Sequence, residues 1–505
     1  MPDGAISVGR ARLLEHQPDM TGTAVSTPSA PEAPVSAEPA RPRFRDHVKR
    51  HPWVAVSIAV VLAAIAFVLG TGMRPEFDAW GFMVWGKQAL HWNLNTDAAP
   101  SWKPLPFLFT LPYALAGKAQ LWLWMFTAVA AGLASAPLAG RIAYRLTGPT
   151  PQRPYARWVA AVFAGVGVLG LFNYGHYLLI ANSDPMEITV CLAAIDSHLC
   201  GRRRLAWLFL VLAAFGRPEA WALAALYAIW AWRAEPAMRP MLAAGVIAIP
   251  AMWFGVAAAT SRSWHVASDV ALGSTSPLTG NRFLGVIRHF RDLYELPMQL
   301  AVLCSVGIAI VRRDRATLLV TGTALVWFAV EVAMAYHGWN APTRYLFAPA
   351  GVLVMVAGVG VGRALAAVPP SRFLRLAFPA AVLALVIALL PAARERERIF
   401  HNKVSAEALW RTKIDHLHAI LARQGAARIF ACGGPVSYLG YQPVIAWYIG
   451  KNVSAVGWNP MDSIASGLPI VFYELPDPNQ SRWVVRPLHI PSSQRAACNR
   501  LLAVS

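Results

Sequence analysis

Between residues 53 and 393 the chain is cut into apolar blocks of roughly 15 to 25 residues, joined by short links that carry arginine or proline. A helix rising 1.5 Å per residue needs about 20 such residues to cross a hydrocarbon layer about 30 Å thick. In lipid the backbone must satisfy its own N–H and C=O groups, so blocks of this kind form helices. Composition agrees, with 56% apolar and only 14% charged residues, where a soluble chain carries about a quarter charged. The fold class expected is an all-α polytopic membrane protein.

The net charge of +19 does not indicate nucleic acid. Most basic residues are arginines at the ends of apolar blocks, where the positive-inside rule calls for them, and no clustered basic footprint appears. Spans are expected at 53–72 and near 119–140, 157–174, 185–200, 205–216, 219–232, 240–259, 297–311, 317–336, 345–362 and 376–393, about eleven in all. Alternate links then carry Arg141, Arg145, Arg153 and Arg157; Arg202, Arg203 and Arg204; Arg233 and Arg239; Arg312, Arg313 and Arg315; and Arg363, Arg372 and Arg375. This asymmetry predicts a bacterial plasma-membrane protein with a cytoplasmic N-terminus and an extracytoplasmic C-terminal domain. Residues 1–45, rich in Pro, Ala, Glu and Ser, are expected to be a disordered cytoplasmic tail. The multi-spanning domain is expected over 50–393. The segment 104–117 is apolar but short for a span, and crossing there would invert every later link. It is therefore read as an interfacial or re-entrant helix.

The tail, 394–505, differs in kind. "ALWRTKIDHLHAILARQG" has helical spacing and a terminal glycine, "ARIFACGG" reads as a short buried strand, and "LPIVFYEL" is another apolar segment bounded by punctuation. A small extracytoplasmic α/β domain is expected, and Cys432 and Cys498 within it are candidates for a disulfide.

The external loop 74–118 opens with "RPEFDAWGFMVWGK". Glu76 and Asp78 are set among Trp80, Phe82 and Trp85, with Trp92 beyond; these aromatics are expected to seat the loop in the interfacial belt. Lys87 and Lys103 add positive charge at the same level. One reading is an acidic base with cationic anchors for a lipid phosphate; the other is a solvated anchoring loop. At "ANSDPMEI", Asp184 and Glu187 are either site acids or a helix start in which Ser183 or Asp184 caps and Pro185 stands at the first turn. "FGRPEAW" breaks an apolar stretch with Arg217 and Glu219 below the expected membrane surface. Ionisable residues at that depth mark function or a local ion pair. "HGWNAPTRY" supplies His337, Arg344 and Tyr345 at another external mouth, with Arg344 a phosphate ligand or an interfacial anchor.

These features together resemble the GT-C superfamily of polyprenyl-phosphate-sugar-dependent membrane glycosyltransferases, the group of the aminoarabinose transferases, protein mannosyltransferases and arabinofuranosyltransferases. An acid follows the first span, "SWKPLP" precedes the second, and "SDPMEITVCLAAIDSHLCGRRRLAWLFLVLAAFGRPEAWAL" is similar to the aminoarabinose branch's acidic hairpin and broken helices. The resemblance covers residues 50–350. It implies transfer of a sugar from a polyprenyl-phosphate donor to an extracytoplasmic cell-envelope acceptor, with Asp78 as general base in an inverting displacement. Glu76 is the substitute acid, and Lys103, Arg217 and Arg344 are the donor-phosphate ligands. Further site candidates are Asp184, Trp80, Trp85, Lys87, Glu219 and His337. The adjacent Asp-Glu pair of the mannosyltransferases is absent here. Asp78 with Glu76 or Asp184 is the only set that invites a divalent cation such as Mg or Mn. The rival classes are a transporter or flippase of a lipid-linked precursor and a non-catalytic envelope scaffold. The Ala, Arg, Pro and Trp usage points to a GC-rich genome such as an actinobacterium's.

Overall fold

The computed structural model describes residues 52–273, 278–367 and 371–502. The tail expected over 1–45 lies outside them.

The described chain is mostly helical. In order come α1 (Pro52–Thr71), α2 (Phe77–Leu90), α3 (Pro104–Ala114), α4 (Gln120–Thr147), α5 (Tyr155–Leu169), α6 (Tyr174–Leu179), α7 (Asp184–Leu199) and α8 (Arg203–Gly216). They are followed by α9 (Ala220–Ala234), α10 (Pro236–Thr260), α11 (Val266–Gly273), α12 (Arg282–Arg291), α13 (Leu296–Val311), α14 (Arg315–Tyr336), α15 (Phe347–Ala366) and α16 (Arg372–Gln424). By length and composition, 6 helices among the described residues can cross a membrane, or up to 7 if the pair α12 and α13, bent by 102°, is one span. This is fewer than the eleven expected, because α5, α7, α8 and α9 are only 15, 16, 14 and 15 residues long and α13 reaches span length only together with α12. The segment 104–117 forms an 11-residue helix and then a short turn, too short to cross.

The bundle is organised around α15, whose whole apolar window is buried inside the protein. It packs against α4, α5, α13 and α14. With no hydrophobic drive between helices in lipid, close approach through small residues supplies the packing. At Gly358 a Cβ would stand 2.8 Å from the Ala160 carbonyl oxygen of α5, so a side chain there would force the two backbones apart. Helix α16 is the opposite case, with none of its apolar window covered by protein. At the end of the bundle away from α2, the arginines of the links find acids on neighbouring helices. Arg141 lies 2.9 Å from Asp196, and Arg363 pairs with Asp314.

The C-terminal unit corrects two expectations. Its boundary near 394 falls inside α16, which runs unbroken for 53 residues because Ala392-Ala393 and the alternating Arg and Glu that follow are good helix formers and carry no stop signal. "ARIFACGG" does not form a strand over its apolar part: Ala426–Cys432 is a helix, α17, and the strand β1 covers only Gly434–Val436. A short apolar run does not distinguish strand from helix by periodicity. The sheet continues with β2 (Ile470–Glu474), parallel to β1, and β3 (Val484–Leu488), antiparallel to β2. Helices α18 (Gln442–Ile449), α19 (Pro460–Ala465) and α20 (Ser492–Leu502) complete the unit. A Cys432–Cys498 disulfide ties α17 to α20, with Cα atoms 5.6 Å apart.

Candidate functional site

The end of the bundle that carries α2 gathers five separate segments. Helix α2 begins directly after α1, and Asp78 stands in its first turn. Lys103 is the residue preceding α3. Asp184 opens α7, and its backbone N–H donates to Asn182 Oδ1 at 3.2 Å. Arg217 closes α8, and Arg344 sits in the turn before α15. Helices α8 and α9 run antiparallel, Trp221 Nε1 donating to the Ala214 carbonyl near the turn and the Tyr227 hydroxyl to the Arg203 carbonyl at the far end. At 14 and 15 residues both are shorter than a full span, so the turn bearing Arg217 sits below the membrane boundary.

The side chains of these segments converge. Lys103 Nζ lies 3.7 Å from Asp78 Oδ2, and Arg344 Nη1 lies 4.0 Å from the same oxygen. Asn182 Nδ2 donates to it at 3.4 Å. Arg344 Nε is 3.7 Å from Asp184 Oδ2, while Arg217 pairs with Asp184 Oδ1. The Arg217 guanidinium also stacks over the Tyr345 ring, 3.5 Å from its centroid. Tyr177 borders the same charges. Three cations thus face the two carboxylates of the cleft. Lys103 Nζ and Arg344 Nε are buried and have no hydrogen-bond partner, so donors are available for an anion. Asp78 keeps 17% of its side chain exposed, whereas Asp184 keeps 1%. Asp78 is therefore the carboxylate a ligand can reach.

Behind Arg217 lie three further buried acids, Glu187, Glu219 and Glu331. A Cβ at Gly216 would collide with the Glu187 carboxyl, so glycine leaves the room this acid occupies. Glu219 stands against Glu331 and acts on Arg217 from beyond ion-pair distance. The expected Arg217–Glu219 ion pair is therefore not formed; Arg217 turns to Asp184. The capping role considered for Ser183 is also absent, since its side chain makes no cap bond.

Several expected site residues stand elsewhere. Trp80 and Trp85 are fully buried, as is Phe82, so the aromatics are core and not an interfacial belt; only Trp92 is exposed, at 98%. The C-terminal unit covers Trp80, which packs on Trp447 and Tyr448 of α18 at 5.2 and 5.6 Å, whereas Phe82 packs on Trp124 and Trp85 on Trp102. Lys87 lies over the Trp447 ring at 3.7 Å, and burial lowers its ammonium to about 8. Glu76 forms no ion pair in the cleft and acts on Glu407 of α16. Burial raises the Glu76 carboxyl, opposed by Lys403 and reinforced by Asp78. Burial first and then Glu76 push Glu407 to about 8. His337 is exposed just past the end of α14. The divalent-cation set does not assemble. The oxygens of Asp78 and Asp184 are turned to Lys and Arg, and no group of three or more His, Cys, Asp or Glu fit for a metal exists among the described residues.

Tyr177 and Glu331 were not foreseen as site residues, and Tyr345 was noted beside Arg344 without a role. Glu331 had a legible signal, a lone acid inside "VWFAVEVAMAY", since a membrane helix seldom carries one without a partner. Next to these acids, and further along α7, an apolar cavity of about 610 Å³ runs from Cys191 and Trp327 toward His198 and Trp230.

No family model matches the sequence, and no curated protein does. Among solved structures, ArnT from Cupriavidus metallidurans bound to undecaprenyl phosphate matches with a TM-score of 0.52 and 14% identity, covering 87% of this chain and 98% of the other. This chain has the ArnT fold. The same protein in the apo state matches with a TM-score of 0.49 and 15% identity, over 85% and 94% of the two chains. The resemblance to the GT-C group holds at the level of the fold, and with it the reading of a multi-pass membrane protein.

Proposed function

We propose that the protein transfers a sugar from a polyprenyl-phosphate donor to a hydroxyl-bearing acceptor of the cell envelope, at the outer leaflet of a bacterial plasma membrane. The observation that carries this is the convergence of Asp78 with Lys103, Arg344, Asp184 and Arg217 in one cleft of an ArnT-like bundle. ArnT is bound to undecaprenyl phosphate in its solved structure, and the buried, unpartnered donors of Lys103 and Arg344 support a phosphate ligand of the same class.

In this reading the donor phosphodiester meets Lys103 and Arg344, whose unpartnered N–H groups face the cleft. Their engagement with phosphate draws them off Asp78 and frees its oxygens for the acceptor hydroxyl. That oxygen attacks the anomeric carbon from the face opposite the phosphate. Its proton passes to Asp78, and the bonding pair of the breaking C–O bond leaves with the lipid phosphate. The charge that develops on the leaving phosphate is stabilised by cations already held in position, which need no reorganisation. Arg217 acts on this through Asp184: the two hold each other buried and fix the carboxylate against which Arg344 leans. The apolar cavity beside α7 accommodates the first isoprenyl units within the bilayer.

The test is transfer of radiolabelled sugar from polyprenyl-phosphate donors by the purified protein in lipid. Loss of transfer in Asp78→Asn with retention in Glu76→Gln supports the assignment. Transfer that survives Asp78→Asn removes Asp78 as the base.

A further inference from the structure

A second polar cavity, of about 240 Å³, lies outside the cleft and shares none of its residues. It sits between the turn leading into α6 and the stretch of α16 where apolar sequence gives way to "ARERER". The apolar part of α16 is not covered by protein, so this switch from apolar to charged sequence marks the headgroup level of the bilayer on the cleft side. The polar wall is made by Asn173, His176, Arg396, Glu397 and Lys403, with Phe400 below.

Three of these groups point to an anion. Arg396 donates from Nη2 to the Leu293 carbonyl at 3.4 Å and stands 3.7 Å from Glu295, yet its Nε is buried and without a partner. His176 Nδ1 is likewise buried and unpartnered. Lys403 is exposed at the mouth, and forms none of the ion pairs within 4 Å found among the described residues. Burial and then the Lys403 charge hold the His176 imidazole down at about 4, so it presents a neutral ring to the cavity at physiological pH. The one acidic lining residue, Glu397, is exposed and free to swing into water. A buried guanidinium N–H left unpaired is destabilising, and an anion at this point satisfies it.

We propose that this cavity binds a phosphate group, monoester or diester, with Arg396 and Lys403 as cationic ligands and the His176 imidazole as a further N–H donor. Because the cavity opens at headgroup level, the phosphate of a membrane phospholipid reaches it without leaving the bilayer. The proposal does not depend on the transferase reading, since none of its ligands belongs to the cleft.

The experiment uses the full chain purified in detergent. Native mass spectrometry counts retained phosphatidylglycerol during titration, with inorganic phosphate as a competing arm. Wild type is expected to hold phosphatidylglycerol, with binding about tenfold weaker in Arg396→Gln and measurably weaker in Lys403→Gln. Lys403 is exposed, so its replacement does not threaten folding, and a thermal melt of each variant verifies this. Lipid retained against millimolar inorganic phosphate supports the site with a headgroup as the source. Inorganic phosphate that binds and is lost in both variants supports the same site with a free anion as the source. Binding of either probe that is unchanged in both variants, or absent in wild type, overturns the proposal.

Discussion

Two carboxylates two residues apart, Glu76 and Asp78, end in opposite surroundings. Asp78 faces a cleft where Lys103 and Arg344 stand 3.7 and 4.0 Å from one of its oxygens. Glu76 adjoins Glu407 of α16 in a seam; burial pushes both carboxyls upward against Lys403, with Asp78 adding to the rise at Glu76 and Glu76 to the rise at Glu407. Glu76 is the extended residue before α2 and Asp78 stands in the helix's first turn, so the backbone aims the two side chains differently. Proximity in sequence therefore says little about shared chemistry: the cleft is built to receive charge, the seam to exclude it.

The sharpest way to break this comparison is to exchange the roles. Asp78→Asn is expected to lower sugar transfer by roughly 10³-fold, within the range for removal of a general base. Glu76→Gln is expected to leave it within a few-fold of wild type. Equal losses from the two variants, measured by the same radiolabel assay, would merge the cleft and the seam into one site.

A second test concerns the buried pair that backs the cleft. Asp184→Asn removes the ion pair that Arg217 makes within 4 Å and leaves its guanidinium enclosed at 4% side-chain exposure, a change expected to cost about 3 kcal/mol or more. Thermal melting in detergent should show the loss. A melt like that of wild type would mean that water, not Asp184, satisfies Arg217.

The seam makes a prediction about pH. Glu407 has an ordinary value of 4.5 that rises to about 8 in the folded chain. Between those values the folded state holds a proton that the unfolded state has released, so stability falls as pH rises from about 4.5 to about 8 and levels off above. Glu407→Gln should flatten that slope and stabilise the protein by on the order of 2 kcal/mol near pH 8. Melts of both proteins from pH 5 to 9 test this, and parallel curves would remove the seam as the origin of the slope.

The smallest expected effect is at Lys87, whose ammonium lies over the Trp447 ring. Lys87→Met should cost about 1 kcal/mol through the lost cation–π contact and leave transfer intact. A loss of transfer without a loss of stability would move Lys87 from the seam into the cleft.

The cleft was more legible in the sequence than its surroundings were. Asp78, Lys103, Asp184, Arg217 and Arg344 stood out because a charge beside or within an apolar block has few tolerable explanations. The helical blocks were legible for the same reason: backbone in lipid has one local solution. What could not be read depended on distant chain. Trp80 and Trp85 look like membrane-surface aromatics until α18, more than 350 residues later, covers Trp80. The surroundings of Glu76 depend on Glu407, which reaches it only because α16 does not stop at the membrane boundary. The helical form of Ala426–Cys432 depends on the sheet and disulfide around it.

That unbroken α16 has a mechanical consequence. Beyond Pro391 it continues to Gln424, a rod of about 50 Å at 1.5 Å per residue. It holds Trp410, which donates to the Pro75 carbonyl at 3.0 Å, and Arg411, which donates to the Gly72 carbonyl at 3.1 Å. Its other arm is sheathed in lipid. A tilt of about 5° about the membrane boundary swings the far end of the rod by about 4 Å, and the points where it grips the loop ahead of Asp78 move in proportion. Bilayer thickness, which sets the tilt of a spanning helix, thereby acts as a lever on the loop that carries Asp78.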